Sequence, residues 1–237
     1  MNKLEYIKEN IAEVRDNIDR ACKKNGRSLD DIQLIAVSKT VNAEILSYAY
    51  DLGITCFGEN KVQELLPKQQ LFNEIIINKK VPNWHMVGHL QSNKVKYIIN
   101  KVGLIHSCDG VKLINEINKR SRSSGVVTDI LIEINIAKES SKHGVFPEEV
   151  NKLLYEVCEL DSISIKGLMC IAPNIKEPEE NRKYFAKMKS IFNEVKSIGY
   201  TNTSMEYLSM GMTNDYKVAI EEGANLVRIG TGIFGKR

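Results

Sequence analysis

The chain alternates short apolar runs with segments of helical periodicity, and this alternation restricts the fold more than any other feature. Amphipathic segments with the i, i+3, i+4, i+7 spacing of a helix separate the apolar runs. Strands that alternate with helices in this way indicate a parallel β-sheet. The eight predicted strands span 32–37, 54–57, 84–87, 103–106, 126–136, 163–169, 204–208 and 225–229. Eight is also the number of strands that closes a barrel.

We therefore predict the α/β fold class, as a single (β/α)8 TIM barrel with an extra N-terminal helix. The extra helix covers 3–24, where apolar residues keep helical spacing until Asn25-Gly26. An open, doubly wound sheet is the alternative, because periodicity alone does not show that a sheet closes. No linker rich in Pro, Gly or Ser divides the 237 residues, so we expect one domain over 1–237.

Charge and cysteine content argue against several kinds of partner and compartment. The chain has 33 Lys and Arg against 30 Asp and Glu, a balance that gives no electrostatic case for nucleic acid or membrane binding. The five cysteines occur singly, which is typical of reduced cytosolic thiols. The N-terminus has no apolar signal-peptide core, and no apolar run reaches the roughly 18 residues of a membrane span. We expect a cytoplasmic monomer.

The ends of the last two predicted strands combine glycine with hydroxyl side chains, as SMGMT at 209–213 and GTG at 230–232. Glycine lets backbone N–H groups approach an anion, and hydroxyls add hydrogen-bond donors. The loops after strands seven and eight are the recurrent phosphate site of this barrel class. One such loop alone would indicate only a tight turn, whereas two adjacent loops favour phosphate binding. Thr213 is also placed to cap the next helix.

A lysine, Lys39, ends the otherwise apolar first strand. Such a lysine alone commonly extends its amine to solvent. Opposite a phosphate site, a partly desolvated lysine amine can form an imine with an aldehyde. This combination points to pyridoxal 5′-phosphate (PLP) or to the sugar phosphate of a Schiff-base aldolase. Arg228, within strand eight, is placed to donate to the ring nitrogen of PLP, to form a salt bridge with Glu133 or Glu206, or to do both.

Two histidines, His85 and His89, raise the question of a metal site because they are four residues apart. That spacing brings ligands together on a helix, but here it spans a strand and its turn. We therefore predict no metal site.

The same strand ends resemble those of the pyridoxal phosphate homeostasis proteins, the YggS/PROSC-like family, which is similar to the barrel domain of alanine racemase. The matching segments are LIAVSKT (34–40), FGENKVQE (57–64), WHMVGHLQSNKVK (84–96), KGLMCIAP (166–173), EYLSMGMTNDYKVAI (206–220) and VRIGTGIFG (227–235). Two positions differ from the family pattern, since Thr213 stands where serine is more common and Lys61 where an aromatic residue is common.

The resemblance implies a PLP-binding barrel in which Lys39 forms the Schiff base. It places Asn60 near the cofactor and Arg228 against the pyridine nitrogen. It assigns the phosphate to Ser209, Gly211, Met212, Gly230 and Thr231.

The implied function is intracellular PLP homeostasis, in which the protein sequesters the cofactor and delivers it to apo-enzymes without catalytic residues or turnover. A PLP-dependent amino-acid racemase or decarboxylase is the alternative, and a Schiff-base aldolase without PLP is a third hypothesis. Arg228 favours the carrier, because a guanidinium does not give its proton to the ring nitrogen and leaves PLP a weaker electron sink. A racemase would also need an opposing proton-transfer group, for which Tyr207 and Tyr216 are the candidates.

Overall fold

The protein is described by a computed structural model over residues 3–76 and 80–235. Its strands form one closed barrel in chain order, and β8 pairs in parallel with β1. The strands are β1 Gln33–Val37, β2 Cys56–Glu59, β3 Asn83–Met86, β4 Leu104–Cys108, β5 Thr128–Ile134, β6 Ile163–Cys170, β7 Thr203–Met212 and β8 Leu226–Ile229. The predicted (β/α)8 barrel is confirmed, and its closure rules out the open sheet.

Helices surround the barrel and precede it. The α-helices are α1 Lys3–Lys23, α2 Ala43–Asp51, α3 Val62–Ile75, α4 Val95–Ile98, α5 Val111–Ser123, α6 Val150–Val157, α7 Arg182–Ile198, α8 Tyr216–Glu221 and α9 Thr231–Phe234. Short 3-10 turns cover Leu29–Asp31, Ser92–Lys94, Pro147–Glu149 and Pro178–Asn181. The predicted extra helix is α1, which packs on α8 and α9 and whose Asn10 donates to the Ile233 carbonyl. None of the helices in the described ranges is long and apolar enough to cross a membrane.

Side chains alternate between two cores, because successive residues of a strand point to opposite faces of the sheet. The larger core lies between the strands and the helices. The smaller core fills the barrel and consists of Ile35, Cys56, Val87, Leu104, Leu131, Met169 and Leu226. Two residues beyond three of these, toward the carboxyl ends of β4, β5 and β8, the inward positions are polar and buried: His106, Glu133 and Arg228. Ser209 holds the same place after Tyr207 in β7, whereas His85 lies two residues before Val87. At β4, β5, β7 and β8 the barrel interior is therefore polar toward the end where ligands bind in this fold.

Strand β7 is longer than predicted and continues to Met212 instead of ending at residue 208. Its register against β8 shifts between Ser209 and Met212, as in a β-bulge. Gly211 has φ +90°, and a Cβ there would lie 2.6 Å from the Cβ of Ala219 in α8. Ser209 and Gly211 are therefore strand residues and do not belong to a loop, and the glycine allows α8 to pack directly on the strand end.

Candidate functional site

A cavity of about 250 Å³ opens at the carboxyl ends of β1, β6, β7 and β8. This volume lies slightly below the roughly 300–1,000 Å³ of pockets for drug-sized molecules and suits a small ligand. Five of the eight predicted cofactor residues line the cavity: Lys39, Met212, Arg228, Gly230 and Thr231. Its apolar walls are Val37, Ile171, Ala172, Pro173, Ile175 and Pro178.

The backbone around Lys39 is held on both sides. Ser38, fully buried, donates from its amide to the Gly58 carbonyl at 2.9 Å. Thr40 has φ 61°, an uncommon conformation for a residue with a side chain, and its amide donates to the Glu64 carboxylate at 3.0 Å. Lys39 itself is partly exposed and lines the cavity. The chain thus fixes the base of this side chain and leaves its amine in the cavity.

A buried ion pair supports the same turn from outside the barrel. Glu59 of β2 is fully buried and pairs with Lys68 of α3, whose amine also donates to the Ser38 carbonyl at 2.7 Å. The Ser38 hydroxyl donates to the same Glu59 oxygen at 2.6 Å. The other oxygen, Oε2, has no hydrogen-bond partner among the described residues. Buried charges persist only when they are paired in this way, so α3, β2 and the start of the Lys39 turn form one unit.

Arg228 lies inside the barrel, 4% exposed, with its guanidinium between two acceptors. One nitrogen donates to the Ser209 hydroxyl and another to the Cys170 carbonyl at 2.8 Å. The predicted salt bridges are wrong. Glu206 pairs with Lys166 at 3.0 Å, and Glu133 makes no ion pair with any described residue. A guanidinium has five N–H donors, so Arg228 keeps donors for a ligand in the cavity.

Two buried histidines extend the contact of Arg228 into the barrel. His106 Nδ1 lies 3.0 Å from the Ser209 hydroxyl, and its Nε2 lies 3.0 Å from His85 Nδ1. Burial lowers the pKa of His85 to about 4. Burial, with the charges of His85 and Arg228, holds the pKa of His106 well below its usual value. Both imidazoles are therefore neutral at neutral pH, which lets them lie beside a permanent cation.

The same network separates Ser209 from the cavity. Its hydroxyl is fully buried and already bonded to His106 and Arg228. Gly211 also lies outside the cavity lining, where it packs against α8. Asn60 is outside the lining too, and its side-chain oxygen is buried without a hydrogen-bond partner among the described residues. The geometry thus brings five of the predicted residues together and leaves these three apart.

Hydroxyl groups from β7 and β8 meet at the cavity edge. Thr213 Oγ1 accepts hydrogen bonds from the Gly232 amide and the Thr231 hydroxyl, each at 3.2 Å. A hydroxyl has two acceptor sites and one proton, so Thr213 has its proton left to donate to a ligand. The prediction that Thr213 caps the next helix is wrong, because Asp215 occupies that position before α8.

Asp215 closes the turn that carries these donors. One carboxylate oxygen accepts from the Met212 amide at 2.8 Å, and the other accepts from the Asn181 side chain at 2.9 Å. The Met212 amide is thus already bonded within the protein. The amides of Thr213 and Asn214 make no hydrogen bond to any described residue, so they are the backbone donors that remain for an anion.

The charge around the cavity is mainly positive. Lys39, Lys142 and Arg228 line it, while Asp215 is the one carboxylate among the described lining residues. Below them, Glu133 is buried, and its pKa is raised to about 7 by burial and by the charge of Asp109. Such a cavity favours a small anion, and its lysine can react with a carbonyl group.

Sequence comparisons place this architecture among known proteins. Residues 7–237 match the family model of the alanine racemase N-terminal domain. The pyridoxal phosphate homeostasis protein of Aquifex aeolicus is 41% identical over 229 residues, which cover 97% of each chain. That of Escherichia coli K12 is 36% identical over 98% of this chain and 97% of its own. The chain belongs to the pyridoxal phosphate homeostasis protein family.

Solved structures agree with this placement in the pyridoxal phosphate homeostasis protein family. PipY of Synechococcus elongatus, solved with PLP bound, has a TM-score of 0.82 and 30% identity, over 97% of this chain and 100% of PipY. Alanine racemase of Clostridium difficile has a TM-score of 0.69 and 16% identity, over 98% of this chain and 56% of the racemase. The second likeness shows the barrel fold alone. The resemblance seen in the sequence is confirmed.

For this member of the pyridoxal phosphate homeostasis protein family, the sequence prediction omitted several residues that build the site. Thr213 was placed in the SMGMT segment and considered as a cap and as a family departure, but its hydrogen bonds to Gly232 and Thr231, which join the two strand ends, were not predicted. Lys142 lies in the loop after β5 and still lines the cavity. Glu59 had no signal of its own beyond the matched segment 57–64, and Lys68 lies outside that segment. Contacts across strands that are distant in sequence carry these roles, and periodicity does not detect them.

Proposed function

We propose that the protein carries PLP as a Schiff base on Lys39 and serves intracellular PLP homeostasis, sequestering the cofactor and delivering it to apo-enzymes. The observation that carries this proposal is the joint presence, in one small positive cavity, of the Lys39 amine and the free donors at Thr213 and Asn214. The names of the relatives and the PLP in PipY support it.

The residues present fit PLP, a flat molecule with an aldehyde, a phosphate and a ring nitrogen. When bound, PLP supplies the aldehyde that a lysine amine captures. The Thr213 hydroxyl would donate to the phosphate, with the Asn214 amide beside it, and Thr231 would orient that hydroxyl by donating to it. Arg228 would face the ring, held by Ser209 and the Cys170 carbonyl. We propose that Gly230 and Thr231 keep their predicted place at the phosphate. Met212 also lines the cavity, but its amide is bonded to Asp215, so we propose that it lies beside the phosphate without donating to it.

We also propose that the protein does not turn over amino acids. Arg228 remains charged and offers the ring nitrogen no proton, which disfavours carbanion chemistry. No histidine or tyrosine is among the described residues that line the cavity. Tyr216 is buried and Tyr207 packs against the apolar core of the barrel, so neither is placed as the opposing group of a racemase.

We propose that residues 1–237 act as a single PLP-binding domain, as a monomer in the cytoplasm. The five cysteines are free thiols, which is usual for a reducing compartment.

The decisive experiment reduces the PLP-loaded protein with borohydride and maps the modified peptide. We expect a yellow protein and one phosphopyridoxyl group, on Lys39. Lys39→Ala should lose the adduct, whereas Lys61→Ala, which removes an exposed lysine outside the cavity, should keep it. A colourless protein that takes up no PLP and instead reacts with sugar phosphates would move the aldolase hypothesis to the front. Amino-acid racemisation that depends on Lys39 would establish the enzyme alternative.

A further inference from the structure

Three side chains from three successive strand ends converge at the barrel mouth. His89 follows β3, Asp109 follows β4, and His143 lies in the loop after β5. His89 Nδ1 and His143 Nδ1 lie 3.3 Å and 3.7 Å from the same oxygen, Oδ2 of Asp109. All three candidate ligand atoms lie within 4.8 Å of one another. We propose that this cluster, His89–Asp109–His143, binds a divalent transition-metal ion of the zinc type.

The spacing of the three atoms suits such an ion. Zinc bonds to nitrogen and oxygen are about 2.0–2.1 Å long, so tetrahedral ligands stand roughly 3.3 Å apart. The two separations from Asp109, 3.3 Å and 3.7 Å, are close to that value. Two imidazoles and one carboxylate favour zinc and its first-row neighbours over Mg²⁺ or Ca²⁺, which prefer oxygen ligands. Three protein ligands leave the fourth position open for water.

The two histidines approach the same oxygen of Asp109. The two imidazole rings stack in parallel, with centroids 3.8 Å apart and planes 11° apart, and both direct Nδ1 toward one carboxylate oxygen. Because a metal ion lies close to the plane of each imidazole that binds it, one of the two stacked rings must turn out of the stack for both nitrogens to bind the same ion.

The turn that carries His89 is held independently of the cluster. The carbonyl of the preceding Gly88 accepts a hydrogen bond from the buried Ser107 hydroxyl at 2.6 Å. A Cβ at Gly88 would lie 2.5 Å from the Asn60 carbonyl oxygen, so only glycine permits this close approach. His89 is therefore presented by a fixed backbone, as metal sites require.

The loop that carries His143 is held in a similar way. Gly144 has φ +106°, and a Cβ there would lie 2.7 Å from the Asn135 amide nitrogen. The Asn135 side chain donates to the carbonyls of Glu139 and Lys142, at 2.8 Å and 3.3 Å, and accepts from the Glu139 amide. One buried asparagine thus ties together the loop whose tip is His143. Both histidines are placed by fixed backbones on either side of Asp109.

Of the two histidines considered in the sequence, only His89 belongs to this cluster. His85 is buried inside the barrel and bonded to His106, whereas His89 follows β3 at the mouth. The ligands that join His89 come instead from the next two strand ends. Lys39 is not part of the cluster, so the metal site does not depend on the proposed PLP chemistry.

The test is a zinc titration of chelator-treated full-length protein against a chromogenic chelator. It uses a Cys158→Ser background, because Cys158 is the one cysteine that is not buried and is a competing ligand. We expect one zinc ion per chain. Loss of an outer-shell partner alone costs about 10–100-fold in metal affinity, so Asp109→Asn and His143→Gln should each weaken binding by at least about tenfold.

Asp161→Asn is the matched control, since Asp161 is an exposed aspartate paired with Arg122 elsewhere on the surface. It should bind zinc like its parent, and melting temperatures without metal should show that all variants are folded. A Co²⁺ absorption spectrum that requires both Asp109 and His143 would give independent support. The proposal is overturned if the parent retains no stoichiometric zinc, or if the Asp109 and His143 variants bind as tightly as the Asp161 control.

Discussion

At the residue scale, the hydroxyl of Thr213 connects the ends of β7 and β8, where the sequence predicts a phosphate site. The Thr213 oxygen accepts hydrogen bonds from the Gly232 amide and the Thr231 hydroxyl, and neither bond uses the proton of Thr213. That proton is therefore left to donate to a ligand. The family pattern more often has serine at this position, and threonine keeps the hydroxyl. In the structure both contacts between the strand ends are made by the Thr213 hydroxyl. The position therefore requires a hydroxyl rather than a side chain of a particular size.

We therefore expect Thr213→Val to weaken PLP binding by about 1–3 kcal/mol, the usual cost of losing a hydrogen bond to a charged group. Thr213→Ser keeps the hydroxyl and should bind nearly as the parent does. The measurement is the Kd of each variant for PLP and for pyridoxal, which lacks the phosphate. Equal losses for both ligands would show that Thr213 acts through packing and not through the phosphate.

At the scale of elements, the Glu59–Lys68 pair fastens α3 to β2 and to the residue before Lys39. Lys68→Met should destabilise the protein by about 3–5 kcal/mol, because it leaves the Glu59 carboxylate buried without its counter-charge. The double variant with Glu59→Leu should recover much of that loss, since an apolar pair replaces the charged one. Denaturant unfolding measures both. A single variant as stable as the parent would contradict the role assigned to the pair.

The same elements show what the sequence could and could not predict. Apolar runs and their alternation with helices were sufficient for eight parallel strands, because a buried parallel sheet requires such runs, whereas the closure of the barrel was shown only by the pairing of β8 with β1. Strand β2 was predicted at 54–57 but spans Cys56–Glu59, because its last residue is a charged glutamate that is buried as the partner of Lys68. Strand β7 was ended at Leu208 because Ser209 and Gly211 are typical of turns, and a bulge accommodates them within the strand.

The sequence predicted which residues lie near the candidate site but not the hydrogen bonds between them. Lys39, Arg228 and Thr231 lie at strand ends, and all strand ends of a parallel barrel meet on one face. Ser209 points into the barrel and bonds to His106 and Arg228 because of the bulge in β7. No local sequence pattern predicted this bulge. The His89–Asp109–His143 cluster depends on three loops at once. Position along the chain therefore identified the face of the barrel, and only the three-dimensional contacts identified the partners.

At the scale of the whole molecule, the barrel encloses groups whose titration couples stability to pH. Glu133 has its pKa raised to about 7, chiefly by burial and next by the charge of Asp109. Its carboxyl binds a proton more tightly in the folded than in the unfolded chain, so its contribution to stability is complete below about 4.5 and is lost as pH rises through 7. His85, whose pKa is lowered to about 4 by burial, has the opposite effect, and its contribution is lost as pH falls from about 6.5 toward 4.

A comparison with Glu133→Gln isolates the carboxyl, because the histidines are the same in both proteins. We expect the free energy of unfolding of this variant to rise relative to the parent by on the order of 2 kcal/mol between pH 5 and pH 8. Denaturant unfolding of metal-free, PLP-free protein at several pH values measures the difference. Glu206→Gln is the control: the hydroxyl of Ser204 and the amine of Lys166 lower the pKa of Glu206, so its difference should be small and opposite in sign. Parallel curves for the parent and Glu133→Gln would show that Glu133 is already ionised at pH 5, and that Arg228 and Lys142 outweigh the cost of its burial.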